Sequence, residues 1–140
     1  MTKKLFTNIH DEVWRQQYNW VHANTGKEFL DMLATKVPNI REISGEDGDG
    51  DTDGETMVLE IDEVKVVCFW FNTEEPATIA HELLHATFET MRNRDITLSE
   101  DSEESFCYLL SFLYSKVLAE LKPQRKKAID KPKKSVIIKK

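Results

Sequence analysis

"AHELLHATFE", residues 80–89, places His81 and His85 four residues apart, with Glu82 directly after the first. On a helix, residues i and i+4 share one face a turn apart, so both imidazoles can address a single metal ion. Neutral histidine nitrogen suits zinc, and a catalytic zinc site needs three protein ligands and one open position. Glu82 follows about 100° around the helix, beside the metal direction rather than along it. That is where a general base acting on a zinc-activated water belongs. The bland alternative is an ordinary surface helix with two solvated histidines, since three fixed positions in five do recur by chance. Histidine is scarce, four in 140 residues, and that weighs against idle placement.

The flanks read as a helix that packs. Pro76 suits a first-turn position, with Thr73 or a neighbour as cap. Ile79, Ala80, Leu83, Leu84, Thr87, Phe88 and Met91 then form a broad apolar face. A third ligand has to come from elsewhere. The extended pattern with a third histidine on the same segment would need glycine at 88 and histidine at 91, and the chain has Phe88 and Met91.

"TLSEDSEESFCYLLSFLYSKVLAEL", residues 97–121, supplies a second helix. It opens on capping candidates and acidic residues suited to a helix N-terminus and continues with Phe106, Leu109, Leu110, Leu113 and Val117 at helical spacing. It is expected to stop before Pro123. A short connection around residues 92–96 folds it back antiparallel on the motif helix. Glu100, Asp101, Glu103 and Glu104 crowd its start, and most of them need do no more than offset the helix dipole. Glu104 is the preferred third ligand, with the small Cys107 one turn on to let the helices approach; Glu103 is the alternative.

His81-Glu82-Leu83-Leu84-His85 followed by "EESFCYLLSFLY" resembles the small gluzincin-like zinc metallopeptidases, in particular the compact zincin-like proteins often encoded by bacteriophages and prophages. The resemblance covers roughly residues 56–121 and is carried by Glu104, Cys107 and Tyr108 besides the H-E-x-x-H motif. It implies zinc held by His81, His85 and Glu104, with Glu82 as catalytic base and a peptide or protein as substrate. Cys107 stands where alanine is commoner. Tyr108, His22 and His10 are candidates for a transition-state stabiliser, and none can be matched to the family pattern. A zinc-binding scaffold without useful turnover is the competing reading.

Helix, strands, motif helix and glutamate helix in that order suit an α+β, zincin-like core with a small β-sheet, spanning residues 1–121. Thr25 and Glu28 form a capping-box pattern ahead of Phe29, Leu30, Leu33 and Val37, with Pro38 after. "TMVLEID" and "VKVVCFWF" read as strands, the second apolar enough to be buried on both faces. By the same resemblance "VCFWFN" would border the cleft and offer its edge to an extended peptide. "NIREI" suggests a short strand. The first 24 residues are ambiguous between helix and strand.

"GEDGDGDTDGE" raises a separate possibility. Asp49, Asp51, Asp53, Gly54 and Glu60 satisfy the EF-hand calcium-loop spacing, although the flanks look like strands and Thr56 sits where an apolar residue is usual. A self-repelling surface loop accounts for the same composition.

The net charge of −6 hides a split: residues 1–121 carry ten basic and 24 acidic side chains, a net −14, and residues 122–140 nine and one, a net +8. The acidic body is no nucleic-acid surface. The basic segment, "KPQRKKAIDKPKKSVIIKK", reads as a flexible solubilising tail, and nucleic acid would be met only there. No run of eighteen apolar residues exists, so no membrane span is expected. "MTKKLFTNIHDEVW" lacks the apolar stretch of a secretory leader. Cys68 and Cys107 both lie in apolar segments and read as reduced core residues. A cytoplasmic location follows, that of an infected host cell included.

Overall fold

The computed structural model describes residues 6–37 and 52–130, the side chains of 122–130 excepted. Its elements are β1 (Thr7–Asp11), β2 (Gln16–His22), α1 (Gly26–Ala34), β3 (Gly54–Ile61), β4 (Val64–Phe71), α2 (Pro76–Arg92) and α3 (Glu103–Asp130). The fold is α+β, with a four-stranded sheet in the order β1-β2-β4-β3. β1 and β2 are antiparallel, β2 and β4 parallel, and β4 and β3 antiparallel. Of the segment left ambiguous between helix and strand, residues 7–22 form a hairpin. At its turn Asp11 Oδ1 accepts from the Val13 and Trp14 N–H groups, and Arg15 takes a positive φ of 51°.

β4 is central, and its sequence explains why. Val67, Phe69 and Phe71 face α2 and α3, while Val66, Cys68 and Trp70 face α1. Only a strand covered on both sides can bury such an uninterrupted apolar run. The expectation that "VCFWFN" forms the edge beside the cleft is therefore corrected. β3 pairs outside β4 and, among the described residues, is an edge strand, with β1 at the opposite edge. A two-residue turn joins the two, with Asp62 and Glu63 at φ 51° and 67°, the left-handed pair that matches strand twist in a tight hairpin.

α1 begins as its sequence dictates: Thr25 is the N-cap, and its hydroxyl accepts from the Glu28 N–H at 3.1 Å. Phe29, Leu30 and Leu33 bury against Val66, Cys68 and Trp70. α2 and α3 cover the opposite face. α2 has Glu75 at its N-cap with no side-chain cap bond and Pro76 in the first turn; Thr73 Oγ1 instead accepts from the Glu75 N–H. Its buried residues are Ile79, Glu82, Leu83, Ala86, Thr87, Thr90 and Met91. Leu84, expected in the apolar face, is 43% exposed. The helix is rotated so that its sheet-facing side centres on Leu83 and Ala86.

α3 returns antiparallel to α2. Phe106 near its start packs on Phe88 near the end of α2, with ring centroids 5.4 Å apart. Further along, the Tyr114 hydroxyl donates to the Pro76 carbonyl at 3.5 Å. Phe106, Leu109, Leu113, Val117 and Leu121 form the buried stripe. Cys107 is exposed, so the helices meet through Phe106 and not through a small residue at 107, and only Cys68 is a core thiol. α3 also passes Pro123 and continues to Asp130. Proline costs a helix the hydrogen bond to the carbonyl four residues back, but the following Gln, Arg, Lys and Ala all favour helix. No helix among the described residues is long and apolar enough to cross a membrane. The expected "NIREI" strand lies outside the described residues.

Candidate metal centre

His81 and His85 are brought together on the outer face of α2, away from the sheet. Their Nε2 atoms are 3.2 Å apart and the rings meet edge to face. With both rings neutral, one Nε2–H donates to the lone pair of the other. Two ligands of a tetrahedral zinc ion, each about 2.0–2.1 Å from it, stand about 3.3 Å apart. The pair is already spaced as zinc would require, and the donor chemistry fits that metal.

Glu82, one residue on, turns inward. It is 5% exposed and lies between α2 and the edge strand β3. The Thr56 hydroxyl is 2.9 Å from its Oε1 and 3.1 Å from its own backbone carbonyl. Gly54 leaves room beside it: a Cβ there would stand 2.7 Å from the Trp70 carbonyl oxygen, 2.8 Å from Glu82 Cγ and 3.1 Å from Glu82 Oε2. Glu82 and His81 both border a depression of about 350 Å³, with Thr52, Asp53, Gly54, Ala77 and Thr78 as its other walls. A carboxylate, an imidazole and a strand edge thus share one opening.

Glu103 and Glu104 are exposed in the first turn of α3, and Cys107 and Tyr108 are exposed in the second. Among the described residues no three His, Cys, Asp or Glu side chains are grouped closely enough to hold a metal ion. The structure brings together two of the expected ligands and the expected base, and does not join Glu104 to them. The candidate stabilisers lie apart from the histidine pair. His22 stacks edge-on against Phe71. His10 and Tyr108 line a larger hollow of about 590 Å³ between the β1–β2 turn and α3, with Trp14, Phe112 and Lys116, and none of His81, Glu82 or His85 borders it.

The calcium-loop pattern meets a plain obstacle. Gly54 and Glu60 belong to the same extended strand, which sets them about 20 Å apart at about 3.3 Å per residue. The distal glutamate cannot curl back to Asp53 in this register, because β3 is held straight by its pairing with β4 from Gly54 to Ile61. Asp49 and Asp51 lie outside the described residues.

Thr56 and Gly54 escaped the reading of the sequence as partners of Glu82. The available signal was their period-two spacing with Val58 along β3, which puts the three on one face of the strand. Comparison with known proteins adds no relative: no family model, no curated protein and no solved structure matches this chain.

Proposed function

We propose that the protein is a zinc-dependent metallopeptidase with a zincin-like core, in which His81, His85 and Glu104 hold the metal and Glu82 is the general base. The observation that carries this reading is the 3.2 Å approach of two imidazole Nε2 atoms, one of which, on His81, shares its opening with the Glu82 carboxylate. Zinc bound there supplies a Lewis acid that polarises the scissile carbonyl and makes water a nucleophile at neutral pH. His81 and His85 would hold it from the outer face of α2, and Glu104 of α3 would complete the ligand set. The Glu82 carboxylate takes the proton of the attacking water and returns it to the leaving amine. β3, an edge strand among the described residues, is where an extended peptide would add as a further strand.

A zinc-holding protein without turnover is the second reading. It draws on the burial of Glu82 and its hydrogen bond from Thr56, which would also serve a purely structural residue. Metal content and one substitution separate the two. Protein purified without added metal should carry about one zinc per chain, and His81→Ala or His85→Ala should lose it. Retention of zinc by both variants would place the metal elsewhere and end this reading. Glu82→Gln should keep zinc and fold, and hydrolysis of a mixed peptide library should fall by at least about 100-fold. A parent that binds zinc yet cleaves nothing above the variant favours the scaffold.

A further inference from the structure

The edge strand does more than border the depression. The geometry points to Thr56 as a positioning residue for Glu82, holding Oε1 while Gly54 keeps the space around Oε2 clear, so that Oε2 is the oxygen that faces the opening. This rests on Glu82 being the base of the proposed peptidase, but the arrangement itself can be tested without activity.

Three observations carry it. The Thr56 hydroxyl reaches Oε1 at 2.9 Å, and among the described residues no hydrogen bond reaches Oε2. The same hydroxyl lies 3.1 Å from the Glu82 backbone carbonyl, a competing acceptor for its one hydrogen at the longer distance, so Thr56 sits against both the side chain and the backbone of Glu82. A Cβ at position 54 would strike Glu82 Cγ and a fixed backbone oxygen of β4, so any larger residue must push the carboxylate or open the sheet. Threonine is well chosen for such a task. Its β-branch restricts χ1, and in a strand paired residue by residue with β4 its hydroxyl is held ready before the carboxylate arrives. A base whose two oxygens are distinguished in advance loses less freedom at the moment of proton transfer.

Thr56→Val keeps shape and strand preference while removing the hydroxyl; Thr56→Ser restores it. In zinc-free protein with ¹³C-labelled glutamate carboxyls, the Glu82 signal is identified by its loss in Glu82→Gln. At one fixed pH it should move in Thr56→Val and return towards the parent position in Thr56→Ser. Zinc content should match the parent in both variants. With zinc bound, kcat for peptide hydrolysis should fall about tenfold in Thr56→Val, the equivalent of one hydrogen bond, with KM nearly unchanged and Thr56→Ser close to the parent. A Glu82 signal indifferent to Thr56→Val would overturn the contact, and an unchanged kcat would overturn its catalytic use while leaving the peptidase intact. If the parent cleaves nothing, the peptidase reading falls, and a moved and rescued signal still supports the clasp.

Discussion

Tyr18 Oη and Thr90 Oγ1 lie 2.6 Å apart in the core, fastening β2, a central strand, to the last turns of the motif helix. Thr90 also donates to the Ala86 carbonyl at 2.9 Å. Its one hydroxyl hydrogen is thereby used, which makes Tyr18 the donor of the pair. Tyr18→Phe should cost about 1–2 kcal/mol, the loss of one buried hydrogen bond. Thr90→Val should cost at least as much, since it strands the phenol. The double variant should cost less than the two together, because residues in contact are not additive. Urea melts of the four proteins check this, and strict additivity would mean that the contact contributes nothing.

The two thiols should behave oppositely. Cys107 is exposed and Cys68 fully buried, so a thiol reagent should label one site per native chain and two after unfolding. Burial pushes the Cys68 thiol from 9.0 up to about 12, opposed only slightly by Lys36. Its folded-state value is raised, so the stability it confers is fully present below pH 9. That stability drains as pH climbs from about 9 towards 12, because the unfolded chain releases the proton first. The slope should be about 1.4 kcal/mol per pH unit in that window. Burial also raises Tyr18, which steepens the fall above pH 10. Cys68→Ala should be less stable at pH 7 yet flatter between pH 9 and 10; an equally steep slope in the variant would assign the effect elsewhere.

The α+β class and several elements could be read from particular residues. Thr25 and Glu28 marked the start of α1, and they are its cap in the structure. The apolar run of β4 announced a strand covered on both faces. What the run could not announce was its neighbours. β2 and β4 are adjacent and parallel although more than forty residues separate them, and nothing local encodes that pairing. The sheet edge was consequently assigned to the wrong strand. The β3–β4 turn was also quiet, since Asp62 and Glu63 take positive φ without the glycine that usually signals it. At the site, the i, i+4 spacing was enough to foresee that His81 and His85 would meet. Thr56 stayed hidden because its partner lies 26 residues away and a threonine in a strand needs no second reason to be there.

The third ligand is the sharpest remaining test. His81 and His85 leave α2 on the side away from the sheet, and Phe88, one turn beyond them, is the residue on which Phe106 of α3 packs. The start of α3 is therefore beside the end of the histidine-bearing face. At about 100° per residue, Glu103 lies about 60° from Phe106 and Glu104 about 160°. Glu103 thus flanks the buried stripe and Glu104 sits on the outer face with Cys107. Phe106 marks the side of α3 that meets the histidine-bearing face. The proposed role of Glu104 therefore requires α3 to turn towards α2 when metal binds, whereas Glu103 would need the smaller turn. Glu104→Ala should weaken zinc binding by at least about tenfold, as loss of support for a metal site does, with Glu103→Ala close to the parent. Competition against a zinc-sensitive dye measures both. The reverse order would give the role to Glu103, the acid nearer the packed side of α3. Equal, small effects in both variants would remove α3 from the centre and leave a two-histidine site completed by some other group.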